Sequence, residues 1–132
     1  MTTQTPIKAL AASFLVIGLA TTSGAFAQVK RTPVMSADVA APGREAVMVR
    51  GEIEPGAEAP RHTHPGDEMS YVMEGAVELL VEGEAPRVVK AGEGFVIPAG
   101  KIHGARNSGS TTLRFLGVYV VDKGEPLATP AK

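Results

Sequence analysis

From Glu45 to Val121 the chain keeps a rhythm of short apolar runs cut by glycine and proline. "EAVMVRGEI" places Val47, Val49 and Ile53 on one face of an extended segment, and "EPGAEAP" interrupts it. "EMSYVMEGAVELLVEG" reads as one long β-type stretch, with Val77, Leu79 and Val81 on one face and Glu78 and Glu82 on the other. "RVVK" and "FVIP" are short strands, the second stopped by Pro98 because proline cannot donate to a ladder. "TTLRFLGVYVV" is apolar on both faces from Phe115 onward, which predicts cover on both sides, by the sheet partner and by a second subunit. No window between these segments carries a helical period. Strands broken by turns every ~8–12 residues predict an all-β sandwich, barrel or jelly roll.

The first 27 residues follow different rules. Lys8 is their only charge, the run Ala9 to Ala20 is apolar, and "AFA" stands just before Gln28. A basic start, a short apolar stretch and an Ala-x-Ala site predict a cleaved secretory signal peptide. A run of 12 residues is too short for a spanning helix, which needs about 20. The expected organisation is therefore a signal peptide at 1–27, an aperiodic arm at 28–44, one all-β domain at 45–122 and a Pro-rich tail at 123–132. The expected location is periplasmic or secreted, with no membrane association after cleavage. Twelve basic and fourteen acidic residues remain after position 27, a net charge of −2, which gives no electrostatic reason to expect nucleic acid as a partner. The chain has no cysteine, so even in an oxidising compartment the fold rests on its core or on a metal.

All three histidines of the chain remain in this domain, two of them in "PRHTHPGDEMSYVMEG". Residues two apart on a strand project to the same face, so His62 and His64 could reach one ion without bending the backbone. Glu68 has the same parity, although Pro65 and Gly66 intervene. His103 lies far along the chain in "IPAGKIHGARN", on a hairpin that could return beside the first. At this point a charged loop leading into a strand explains the cluster as well as a metal site does.

The spacing carries more. Gly56, His62, His64, Glu68 and Gly75 fill a pattern of glycine, five residues, His-x-His, three residues, Glu, six residues, glycine. Gly92, Pro98, Gly100, His103 and Asn107 fill a second pattern, glycine, five residues, Pro-x-Gly, two residues, His, three residues, Asn. These resemble the first and second motifs of the cupin superfamily, in the compact, single-domain form similar to quercetin-dioxygenase-like bacterial members. A lone His-x-His is weak evidence, whereas ten slots matched in order are strong.

The resemblance implies a jelly-roll barrel in which His62, His64, Glu68 and His103 bind one divalent transition metal. Asp67 is the competing carboxylate, and the motif spacing favours Glu68. Imidazoles suit Fe, Ni, Cu, Zn and Mn, and a carboxylate suits the harder of these. Four ligands in an octahedral frame leave two positions open. The implied activity is that of a dioxygenase-type enzyme acting on a small chelating molecule, with Glu68 also serving as base. The alternative is a non-catalytic periplasmic protein that binds a metal or small ligand. Tyr71 is assigned to packing, and Met48, Met69 and Met73 to core filling or barrel lining. Arg61 and Arg106 flank the ligands and are either solvated or available to grip an anion. A homodimer is expected from the two-faced "FLGVYVV" segment.

Overall fold

The computed structural model describes residues 29–132, and the segment expected to be a signal peptide, 1–27, lies outside them. Among the described residues every regular element is a strand, as the alternating pattern requires. In chain order these are β1 (Lys30–Asp38), β2 (Arg44–Ile53), β3 (Glu58–Thr63), β4 (Gly66–Glu74), β5 (Ala76–Val81), β6 (Arg87–Lys90), β7 (Gly94–Ile97), β8 (His103–Arg106), β9 (Leu113–Asp122) and β10 (Thr129–Pro130). They form two five-stranded antiparallel sheets, ordered β1-β2-β9-β4-β7 and β10-β3-β8-β5-β6. This is the jelly roll expected from the sequence.

Two expectations change. The segment "EMSYVMEGAVELLVEG" is two strands in different sheets, β4 in the first and β5 in the second. Gly75 makes the switch at φ 78°, a left-handed conformation that a residue with a Cβ adopts only at a cost. The segment taken as an aperiodic arm contains strand β1, which pairs with β2 along its length across a bulge between Pro33 and Met35. That bulge and Pro33 break the period-2 pattern, which hid the strand from sequence reasoning.

The inner faces of the two sheets bury an apolar core. Ile53, Ala59, Val72, Val77 and Leu113 pack at one end. Val49, Tyr119 and Val121 form a second cluster, and Leu79, Val81 and Ile97 a third. Each fully buried aliphatic side chain is worth roughly 1.5–3 kcal/mol over its exposed state, so these clusters can hold the sheets together without disulfides. The same strands that bury Leu113, Val72 and Ala59 at one end carry polar inward residues at the other. There Glu68 sits in register with Tyr119 and Ile97, and His103 with Val81.

The outer face of the first sheet is also apolar. One cross-strand row runs Met35, Met48, Val118, Met69, Val96, one residue from each strand. Met35, Met69 and Val96 are exposed, as are Tyr71 and Met73. Met48, Met69 and Met73, expected as core or lining, therefore lie on the outside, because their parity in β2 and β4 is opposite to that of Val49 and Glu68.

Candidate metal centre

β3 and β8 are neighbours, and their register sets His62 directly opposite His103. His64 follows two residues beyond His62, just past the end of β3. The three rings meet with centroids 4.8 Å (His62–His64), 4.3 Å (His62–His103) and 5.1 Å (His64–His103) apart. One ligating nitrogen from each lies within 4.8 Å of the others, an arrangement that can hold a metal ion. Glu68 comes from β4 in the facing sheet. Its Oε2 is 3.0 Å from His64 Nε2 and 3.2 Å from His103 Nε2. Two donors bound at right angles to one ion, each about 2.1 Å from it, stand about 3 Å apart.

Each ring is turned by its other nitrogen. His62 Nδ1 donates to the Pro60 carbonyl at 2.7 Å, His64 Nδ1 to the Leu127 carbonyl at 2.5 Å, and His103 Nδ1 to the Lys101 carbonyl at 3.0 Å. A carbonyl can only accept, so the proton of each neutral ring resides on Nδ1 and the Nε2 lone pair is free. This outer hydrogen bond is the usual way a metal-binding histidine is oriented. His64 Nε2 is buried and has no hydrogen-bond partner, and what faces it is a carboxylate oxygen. Two acceptors held that close need a cation between them, either a proton or a metal.

The surroundings disfavour the proton at one of the three rings. Burial, with smaller contributions from the neighbouring His103 and His64 and partly opposed by the Pro60 carbonyl, lowers the His62 pKa from 6.5 to about 4. Burial by itself would raise the Glu68 carboxyl, but contacts with the His103 and His64 rings, through the proton that stands between ring and carboxylate when no metal does, and with the Ser70 hydroxyl outweigh it and hold it well below the usual carboxylate range. Ser70 Oγ donates to Glu68 Oε1 at 2.6 Å. An ionised carboxylate facing neutral imidazole lone pairs suits a divalent ion.

The motif residues outside the donor set act on the backbone. Asn107 Nδ2 donates to the Ile53 and Thr111 carbonyls, both at 2.8 Å, and its Oδ1 accepts the Gly109 N–H. The Gly100 N–H bonds the His64 carbonyl at 3.0 Å, tying the two motifs together. Asp67 points outward and accepts the Ala99 N–H at 2.9 Å, so it braces the Pro-x-Gly turn rather than competing with Glu68. Tyr71 is half exposed on the outer face. Arg61 pairs with Glu82 and Arg106 with Glu78, both on the surface.

Sequence reasoning missed three residues here. Ser70 could have been found, since it lies two positions from Glu68 on the same strand face. Tyr119 is buried in the inner row of β9, with its ring centroid 4.7 Å from that of His64. Burial, then the Glu68 charge, pushes its hydroxyl well above the usual phenol range, so it stays a hydrogen-bond donor. Arg31, on β1, lines the cavity beside His62, Glu68, His103 and Tyr119. That cavity is small, and Phe95 and Phe115 are among its apolar walls.

A two-sheet jelly roll with histidines gathered between its sheets defines a small β-barrel protein able to hold a metal. The Cupin domain family matches residues 49–119, and the chain belongs to that family. Among curated proteins it is 34% identical over 77 residues to germin-like protein subfamily 2 member 2 of Arabidopsis thaliana, and 39% identical over 77 residues to putative germin-like protein 3-2 of Oryza sativa subsp. japonica. Each match covers 54% of this chain and 35% of the relative, so the chain spans about a third of the length of these curated relatives. Among solved structures it resembles an uncharacterized conserved protein with a double-stranded β-helix domain from Klebsiella pneumoniae subsp. pneumoniae MGH 78578. The identity is 26% and the TM-score 0.64, over 77% of this chain and 85% of that one.

Proposed function

We propose that this chain is an exported cupin in which His62, His64, His103 and Glu68 hold one divalent transition metal, of the set Fe, Mn, Ni, Cu or Zn, and that it acts on a small molecule as a dioxygenase-type metalloenzyme. The observation that carries this reading is the buried Nε2 of His64, without a hydrogen-bond partner and facing a carboxylate oxygen. When bound, the metal would supply Lewis acidity toward an oxygen-bearing ligand and toward dioxygen. In this reading Glu68 would take a proton from that ligand, with the Ser70 hydroxyl, which donates to its Oε1, orienting the carboxyl.

Metal analysis of protein purified from its own export compartment tests the centre, with one ion per chain as the expected result. Oxygen consumption with flavonols, diketones and small carboxylic acids tests the reaction. The small cavity favours a second reading, a non-catalytic metal- or small-ligand-binding protein. Stoichiometric metal without oxygen uptake on any of these compounds would select it. Export rests on residues 1–27 and predicts an intact mass for mature protein beginning at Gln28. The apolar row on the outer face of the first sheet supports a homodimer.

A further inference from the structure

The cavity beside the donor set holds one cation that the centre does not use. Arg31 is in register with Gly51, and Gly51 with Phe115, so these three share the inner face of the β1-β2-β9 sheet. The Phe115 ring lies over Gly51, where a Cβ would be 2.1 Å from a ring atom; the missing side chain is what lets the ring lie flat there. Arg31 thus lines the cavity at its exposed edge, next to an aromatic wall and within reach of the polar end formed by His62 and Tyr119.

Among the described residues no carboxylate forms an ion pair with it, and Glu68 in the same cavity is turned to the histidines instead. The other arginines and lysines that meet acids in this fold do so on the outside, as Arg61, Arg106 and Arg114 do with Glu82, Glu78 and Glu74, and Arg31 is in none of the described ion pairs. Residues 1–28 contain no acidic residue that could serve instead. A planar guanidinium at the rim of an apolar slot binds a carboxylate through two parallel N–H bonds more selectively than it binds a neutral amide. Behind it the slot is walled by Phe95, Phe115 and Ile53 and is narrow.

We infer that Arg31 is a specificity-determining residue that grips the carboxylate of a small monocarboxylic acid whose apolar body enters the slot between Phe95 and Phe115. This rests on the proposed metal-binding reading of the site, and it narrows that reading to a substrate or ligand class. Arg31 lies outside the span matched by the family, so the selectivity would belong to this chain rather than to the barrel in general.

The test is calorimetric titration of the metal-loaded protein with butyrate and with butyramide, with metal content measured on the same samples. Butyrate should bind at least tenfold more tightly than butyramide. Arg31→Ala should lower butyrate affinity at least tenfold and leave butyramide binding and metal content unchanged, and Arg31→Lys should restore part of the loss. Equal butyrate affinity in Arg31→Ala and the parent would overturn the inference, since the carboxylate would then be held elsewhere, and so would absence of butyrate binding by the parent. Metal content separates the two ideas. Arginine-dependent selection of butyrate by a chain that carries no metal would support the role of Arg31 while removing the metal reading.

Discussion

His62 and His103, forty-one positions apart in the chain, are direct cross-strand partners on β3 and β8, with ring centroids 4.3 Å apart. The pairing joins the two sequence motifs at the donor set. His64 and Glu68 then approach from the strand end and from the facing sheet. The centre is therefore only as rigid as the contact between sheets, which the Val49–Tyr119–Val121 and Leu79–Val81–Ile97 clusters supply on either side.

Loss of a donor should empty the centre. His62→Ala, His64→Ala and His103→Ala are each expected to weaken metal binding beyond the ~10–100-fold that removing an outer hydrogen bond costs. Glu68→Gln should weaken it less, since an amide oxygen remains. Metal-to-protein ratios after dialysis against a weak chelator read this directly. Full occupancy in the His62/His103 double alanine variant would contradict the assignment.

The C-terminal tail contributes to the same centre through one carbonyl. Leu127 accepts the His64 Nδ1 hydrogen, and Thr129–Pro130 adds a short strand beside β3. Truncation after Gly124 should lower metal affinity about 10–100-fold while leaving the two main sheets folded, because His64 loses the bond that fixes its tautomer. Metal titration alongside circular dichroism distinguishes this from general unfolding.

Acid should destabilise the metal-free protein through His62. Its folded pKa, about 4, is below the unfolded value of 6.5, so on acidification the unfolded chain takes the proton first. The stabilising contribution is complete above pH 6.5 and is lost as pH falls toward 4. Glu68, held below its usual range, adds a loss only at still lower pH. Melting temperature against pH should decline across that first window, and His62→Gln should flatten the decline. In the metal-loaded protein the fall should be steeper, because protons must displace the ion from several imidazoles together.

Asn107 should affect stability rather than metal binding. Its buried amide makes three hydrogen bonds to backbone groups around the β2 end and the β8–β9 turn. Asn107→Ala leaves two carbonyls and an N–H without it, and a cost of about 2–4 kcal/mol is expected. Denaturant unfolding measures this, and metal affinity under native conditions should stay within a few-fold of the parent.

The outer row of the first sheet predicts a dimer that one charge can break. Met69 and Val96 are cross-strand partners on that face, both exposed in the single chain. Val96→Glu should convert a dimer to a monomer in light scattering at micromolar concentration without lowering metal content. A parent protein that is already monomeric at that concentration would exclude the association.

The period-2 alternation, the Gly/Pro turns and the ten motif positions were enough to define an all-β cupin and to single out His62, His64, Glu68 and His103. They suffice because these features are local. Strand parity sets which residues share a face, and fixed spacing sets which turns recur. Sequence reasoning did not show where the long stretch around Gly75 divides, that residues 30–38 form an edge strand, or that Met48 and Met69 face outward. Nor did it show that Arg31 rather than Arg61 or Arg106 reaches the cavity. Each of these depends on which sheet a strand joins, and on which of its two faces that sheet then buries. Only the packing of one sheet on the other decides that. The alternation is the same read from either side, and the burial that breaks the symmetry comes from residues distant in the chain.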